Sequence, residues 1–150
     1  MKKTKLFGVI LTLVLALALC FGLTACGVAG TYKLEELSVT VNGEVLTAKA
    51  GEDLVVVEKI GETTSTMTYP VSEKDCVFTF KSNGTYSIRM YLPVFERGGG
   101  STLDIHEEGT WEEQDGKINV TDSDGETDSF TIDGKRIIID MGIYKIVLKK

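Results

Sequence analysis

Apolar and polar residues alternate with a period of two along most of the chain after residue 30. This period is typical of β-strands that bury one face. Residues 78–80 and 86–90 show it on either side of the turn Ser82-Asn83-Gly84. Because Asn-Gly readily takes the positive φ angles of a tight turn, we predict a β-hairpin here.

The last third of the chain repeats this pattern with short connections. Alternating segments of residues 109–150 are separated by Asp115-Gly116, Asp124-Gly125, Asp133-Gly134 and Met141-Gly142. The spacing predicts about five consecutive strands in an up-and-down antiparallel meander.

The first strand changes parity. Tyr32 and Leu34 share one face, whereas Leu37 and Val39 share the other. One strand can bury both sets only if it holds an extra residue, so we predict a β-bulge near Glu35-Glu36.

The segment that follows the first strand is harder to interpret. Residues 43–53 fit either a strand or one helical turn, and residues 54–57 form a short apolar run that predicts a fully buried strand. Residues 63–69 predict an exposed edge strand that ends at Pro70.

Eight to ten short strands favour closure, because an open sheet of this size leaves bare edges. We therefore predict an all-β fold in which the meander closes into a barrel over residues 30–150. About eight strands enclose a space that side chains fill or that holds one small ligand. The expected inward residues include six aromatic ones, which favours a filled barrel with a pocket at one mouth; they are Tyr32, Leu34, Val39, Phe78, Phe80, Tyr86, Ile88, Met90, Trp111, Ile118, Val120, Phe130, Ile132, Ile146 and Leu148.

The N-terminal segment has a different character. Lys2, Lys3 and Lys5 precede an apolar run over residues 6–19, and Leu23-Thr24-Ala25-Cys26 follows. A basic start, a short apolar centre and small residues are typical of an export signal. The alternative is an uncleaved anchor, since an apolar stretch continued to Ala25 just reaches the length of a membrane span.

The sequence Leu23-Thr24-Ala25-Cys26 resembles the lipobox of bacterial lipoproteins. The resemblance implies that residues 1–25 are a signal peptide and that Cys26 is acylated after cleavage. Residues 26–29 would then be a lipidated cysteine and a short tether. The protein would face outward from the bacterial cell membrane, with the membrane as partner through the lipid on Cys26.

Charge restricts the other partners. All 22 acidic residues lie after residue 30, whereas 3 of the 16 basic residues lie in the N-terminal segment, so the formal charge beyond residue 25 is −9. Such a surface repels nucleic acid, and we expect no nucleic-acid partner.

Three Gly-Thr-aromatic units occur: Gly30-Thr31-Tyr32, Gly84-Thr85-Tyr86 and Gly109-Thr110-Trp111. The first resembles the Gly-x-Trp start of lipocalins, and residues 109–150 resemble the C-terminal meander of small lipocalin-like lipoproteins of Gram-positive bacteria. The resemblance implies a lipocalin-like barrel that binds a ligand. The alternative is that each unit is simply a strand start with a bulky core residue.

The predicted ligand-binding residues are Phe95, Arg97 and Trp111. Phe95 and Arg97 precede the triple glycine at residues 98–100, which predicts a mobile flap at the barrel mouth. The alternative is a loose connection without a role.

Other polar groups are weaker candidates for a metal-binding or catalytic site. The acidic loop 122–128 could hold calcium, but its glycine is the fourth residue rather than the sixth of an EF-hand loop, so a solvated turn is favoured. His106 is the single histidine and is expected on a wet surface with Asp104 and Glu108. Cys76 is expected to be buried and inert. No catalytic set, metal site or cofactor site is predicted.

These patterns favour a non-enzymatic, lipid-anchored binding or interaction module of the cell envelope, for which a small apolar ligand is one candidate. The alternative is an accessory protein with a filled core that contacts another envelope protein.

Overall fold

The chain is an all-β protein in the computed structural model, which describes residues 27–96 and 99–150. The predicted all-β class is confirmed. The strands of the described part are β1 (Gly30–Val41), β2 (Glu44–Lys49), β3 (Asp53–Ile60), β4 (Thr63–Pro70), β5 (Cys76–Phe80), β6 (Thr85–Glu96), β7 (Gly99–Gln114), β8 (Lys117–Asp122), β9 (Thr127–Asp133), β10 (Arg136–Asp140) and β11 (Tyr144–Lys149).

Eight antiparallel strands close into a barrel. Each strand from β5 to β10 pairs with the next strand in sequence. Strand β1 pairs with both β11 and β5, which closes the ring. The predicted closed antiparallel barrel is therefore confirmed. The meander is interrupted once, because β2, β3 and β4 lie between β1 and β5 in sequence but outside the ring of eight.

The three strands outside the ring settle the ambiguous segment. Within residues 43–53, Glu44–Lys49 form strand β2 rather than a helical turn, and β2 pairs with the second half of β1. Strands β3 and β4 form a separate two-stranded hairpin, which confirms the predicted edge strand. The prediction of a fully buried strand at residues 54–57 is wrong, because Leu54 and Val56 are buried whereas Val55 and Val57 are 44% and 63% exposed.

A β-bulge in β1 lets both halves of this strand direct side chains into the barrel core. Leu34 pairs with Leu148 and Glu36 pairs with Val147, so Glu35 is the extra residue. The predicted bulge is confirmed. It turns the side chains of both halves of β1 inward, because a shift of one residue reverses the face that each side chain occupies.

Six aromatic rings form one connected cluster in the core. Phe80 lies at its centre, with its ring centroid 5.9 Å from that of Tyr32, 6.4 Å from Tyr86 and 5.4 Å from Trp111. Phe78 and Phe130 extend the cluster. Thirteen of the fifteen residues predicted to point inward are buried, and Phe130 and Ile132 are partly buried against the core.

The turn at Asn83-Gly84 differs from the prediction. Gly84 has a φ of 83°, but Asn83 is not in the positive region, and the Gly84 amide donates to the Lys81 carbonyl at 3.0 Å. This geometry is a type I turn followed by a left-handed glycine. At Asn42-Gly43 both residues have positive φ, as a two-residue hairpin loop requires.

Gly109 lies where β7 pairs with both of its neighbours. It is opposite Tyr86 of β6 on one side and Asp122 of β8 on the other. A Cβ atom at Gly109 would lie 2.0 Å from the Thr121 carbonyl oxygen and 2.9 Å from the Tyr86 ring. The aromatic residues of all three Gly-Thr-aromatic units are buried, but Gly109 is inside a strand rather than at its start.

We predict that Gly109→Ala lowers the free energy of unfolding by about 1–3 kcal/mol, because the backbone of β8 must move away from the new methyl group. Urea unfolding followed by Trp111 fluorescence measures this loss. Gly100→Ala on the same strand is the control, since its Cβ would lie at an ordinary 3.7 Å from the Val94 carbonyl oxygen. Equal urea midpoints for Gly109→Ala and Gly100→Ala would contradict the close approach of β8 to Gly109.

The bulge residue Glu35 makes an ion pair with Arg136, whose Nη2 donates to Oε1 at 2.8 Å. The hydrogen bond from Arg136 lowers the pKa of Glu35, and the charges of Arg136, Lys149 and Lys49 add to this effect. Because folding favours the carboxylate, its contribution is present above the ordinary glutamate pKa and is lost as pH falls through the lowered pKa.

We therefore predict that Glu35→Gln costs at most about 1 kcal/mol of unfolding free energy at neutral pH. The difference from the unsubstituted protein should shrink toward zero below about pH 4. Urea unfolding at a series of pH values tests this. A difference that stays constant down to pH 3 would show that the carboxylate charge is not involved.

Candidate functional site

The cleft beside Phe95 is the nearest counterpart of the predicted mouth pocket. It has a volume of ≈ 300 Å³ and lies between strand β4 and the hairpin of β6 and β7. Its walls are mostly uncharged, with Met67 and Tyr69 on one side and Pro93 and Phe95 on the other. A cleft with this uncharged lining can hold a small neutral group.

Two tyrosine hydroxyls hold the hairpin that forms one wall. Tyr144 donates to the Pro93 carbonyl at 2.8 Å, and Tyr69 donates to the Tyr91 carbonyl at 3.5 Å. Burial raises the pKa of Tyr69, and the Asp75 carboxylate adds to the rise. Both hydroxyls therefore stay protonated and remain donors at physiological pH.

The structure does not bring Trp111 to this cleft. Its Nε1 donates to the Lys81 carbonyl at 2.9 Å, next to the turn between β5 and β6, whereas Phe95 lies at the other end of β6. Phe95 is nine positions after Tyr86 on β6, which corresponds to a length on the order of 30 Å. Arg97 and Cys26 lie outside the described residues.

A second concave surface lies on the outer face of strands β5, β6 and β7. It is an open groove of ≈ 520 Å³, lined by Lys74, Val77, Thr79, Ser87, Arg89, Tyr91, Asp104 and His106. The alternation of residues along the chain did not predict this groove. The available signal was Tyr91, an aromatic residue at a position that alternation assigns to the outer face.

Arg89 and Tyr91 give the groove its chemistry. The guanidinium carbon of Arg89 lies 4.7 Å from the centre of the Tyr91 ring, within the range of a cation–π contact. Arg89 also donates to the Tyr91 hydroxyl, and this bond raises the pKa of Arg89 further. The pair presents a fixed positive, aromatic surface to solvent.

His106 lies on this outer face, directly opposite Arg89 on the neighbouring strand. Its side chain is 66% exposed and lies 3.7 Å from the Glu108 carboxylate. The prediction that His106 shares a wet face with Asp104 and Glu108 is confirmed.

The acidic loop is organised by its own backbone. One carboxylate oxygen of Asp122 accepts hydrogen bonds from the amides of Asp124 and Glu126, both at 2.9 Å. This is the geometry of an Asx turn, which accounts for the aspartate at that position. In the described part of the chain, no three His, Cys, Asp or Glu side chains are grouped as metal ligands.

Two polar groups point into the core. The Tyr86 hydroxyl donates to the Glu107 carboxylate, and burial, followed by this bond and the charges of Glu107, Asp122 and Asp128, raises the pKa of Tyr86. Cys76 is fully buried, and burial raises the pKa of its thiol to about 12. A thiol this hard to ionise is a poor nucleophile, as predicted for an inert cysteine.

The segment that carries the predicted signal peptide and lipidation site, residues 1–26, also lies outside the described residues. Among the residues that the structure does describe, no helix has the length and apolar character needed to cross a membrane.

Comparisons with known proteins give little further information. No protein-family model matches the chain. No curated protein matches its sequence. Among solved structures, the chain is similar to an uncharacterized protein from Bacteroides eggerthii, with a TM-score of 0.41 and 12% sequence identity over 82% of this chain and 98% of that chain. A similarity at this level carries no argument about function.

Proposed function

We propose that the protein is a lipid-anchored, non-enzymatic interaction module of the bacterial cell envelope. Its barrel, of lipocalin-like type, is a filled scaffold, and the outer groove around Arg89 and Tyr91 contacts another envelope protein. This is the second of the two functions that the sequence suggests, and the aromatic core is the observation that favours it.

The aromatic cluster occupies the space in which a barrel ligand would lie. An eight-stranded barrel is just wide enough to be filled by side chains or to hold one small molecule. Here Phe80 is surrounded by the rings of Tyr32, Phe78, Tyr86 and Trp111 at centroid distances of 5.4 to 6.4 Å. A ligand at this level of the barrel would have to displace one of these rings, which are buried and mutually packed.

The outer groove has the composition of a protein-binding surface. Arginine and tyrosine are enriched at interfaces because each offers a large contact area together with hydrogen-bond donors. Arg89 and Tyr91 lie side by side on β6, and Lys74, Asp104 and His106 surround them with charged and polar groups. An open, mostly polar groove with an aromatic centre suits a protein partner better than a small ligand.

The attachment of the N-terminal end supports a location close to the lipid. Val28 is buried, its carbonyl accepts a hydrogen bond from the Tyr32 hydroxyl at 2.8 Å, and the Gly27 carbonyl accepts one from Lys150 at 3.1 Å. With acyl chains on Cys26, the first barrel strand, which begins at Gly30, would start four residues after the anchor. The proposed partner is therefore a protein at or near the membrane.

Site-specific photocrosslinking in the native bacterium tests this proposal. A photoreactive amino acid at Ser87, inside the groove, should form a discrete adduct with another envelope protein. The same residue at Thr131, which is exposed on the outer face of β9, is the matched control and should form none. Arg89→Ala should reduce the Ser87 adduct about tenfold if the arginine is an interface hot spot. Equal crosslinking at both sites, or none at Ser87, would refute the groove as the contact surface.

The cleft beside Phe95 favours a second candidate function, the binding of a small apolar ligand outside the filled core. Its ≈ 300 Å³ is at the lower end of the range for small-molecule sites. If it binds such ligands, the protein should take up the fluorescent fatty acid cis-parinaric acid, and Phe95→Asp should weaken uptake about tenfold or more while Thr131→Asp does not. Absence of uptake by the unsubstituted protein would eliminate this candidate.

A further inference from the structure

Strand β4 has an edge that no described strand covers. All eight residues of β4 pair with β3, from Thr63 opposite Ile60 to Pro70 opposite Asp53. Among the described strands β4 has no second partner, and the hairpin forms a sheet of its own beside the barrel. The backbone groups on the other side of β4 therefore have no strand partner among the described residues, and residues 67–69 also line the cleft beside Phe95.

This edge lacks the features that normally prevent association. Edge strands of soluble proteins usually carry charged side chains, prolines or bulges that block edge-to-edge pairing. Strand β4 reads Thr-Thr-Ser-Thr-Met-Thr-Tyr-Pro and carries no charge, although a quarter of the whole chain is charged. It is regular along its length, and its proline is at the last position.

We propose that β4 is a self-association site, at which β4 of a second copy of this chain pairs with it in antiparallel orientation. The two-fold axis passes through Thr66, so Thr66 faces Thr66 of the second copy and Thr64 faces Thr68. The two hairpins then form one continuous four-stranded sheet. A closed two-fold dimer of this kind uses the same surface on both copies.

The side chains match in this register. Thr64, Thr66 and Thr68 lie on the exposed face of the hairpin, together with Val55 and Val57 of β3. Threonine pairs across antiparallel strands are favourable, and no like charges come opposite each other. Of the charged residues near the hairpin turn, Glu62 would lie beside Pro70 of the second copy.

A second copy fits this edge, because the uncharged strand is complementary to itself in the register given above. A chain with a formal charge of −9 beyond residue 25 repels its own copies over most of its surface, and the neutral edge of β4 is the place where contact avoids a like-charge pair. One shared strand buries little area, so the dimer is weak in solution. Confinement to a membrane surface raises the effective concentration of the chain and favours the dimer.

This inference does not depend on the outer groove, since none of the groove's lining residues lies in β4.

Cysteine crosslinking of the full-length protein in native membranes is the first test. In the proposed dimer the Cβ atoms at position 66 lie about 4.5–5.5 Å apart, within reach of a short bifunctional thiol reagent. Thr66→Cys should therefore give an adduct with the mass of two copies. Val57→Cys is the matched control, because three strand spacings, about 14 Å, would separate its two copies. The unsubstituted protein is the control for any adduct that forms through the native cysteines Cys20, Cys26 and Cys76.

Each outcome of the cysteine crosslinking experiment either supports or overturns the proposed dimer. An adduct of twice the mass from Thr66→Cys alone supports the dimer. Monomer only, equal adducts from both variants, or an adduct with a different protein overturns it. Because crosslinking at position 66 does not use the Arg89 groove, failure here leaves the proposed function in place, and failure of the Ser87 crosslink leaves the dimer in place.

Charge substitutions test the register. Energy transfer between donor- and acceptor-labelled full-length copies in vesicles should show an association about fivefold weaker for Thr66→Lys, because two ammonium groups then face each other. Thr64→Lys combined with Thr68→Glu should associate at least as well as the unsubstituted protein, since each lysine faces a glutamate. If both variants weaken association equally, the proposed register is wrong. All three positions are exposed, so circular dichroism should be unchanged.

Discussion

The pairing of β1 with β11 is the contact on which the rest of the structure depends. It joins the first barrel strand to the last, and without it the other seven pairings would form an open sheet with two long edges. The bulge at Glu35 makes this pairing compatible with a single core, because it keeps Leu34 and Leu37 on the inner face. The local geometry of one residue thus decides whether the barrel can close.

The way in which the barrel is filled determines where function can reside. Inner positions of the central strands are occupied by rings and aliphatic side chains that pack on each other. The grooves described above accordingly lie on the outside of the sheet and between the hairpin of β6 and β7 and strand β4. Loops and faces supported by a rigid scaffold are a common location for binding residues.

The sequence predicted the barrel well because period-two alternation reports directly on the buried face of a strand. It predicted the bulge for the same reason. It did not predict that Phe95 and Trp111 lie apart, because residues 99–108 of β7 have weak alternation and the length of this strand could not be read. The position of His106 opposite Arg89 could not be predicted, since it depends on the register between β6 and β7.

The register of β1 against β11 also has a consequence for how the chain folds. Lys33 of β1 pairs with Lys149 of β11, and every other strand of the described chain lies between them in sequence. The ring can therefore form only after all the intervening chain has been made, and contacts of such long range slow folding. Until then β1 exposes a bare edge, so a nascent or shortened chain that lacks β11 is a natural substrate for chaperones and proteases.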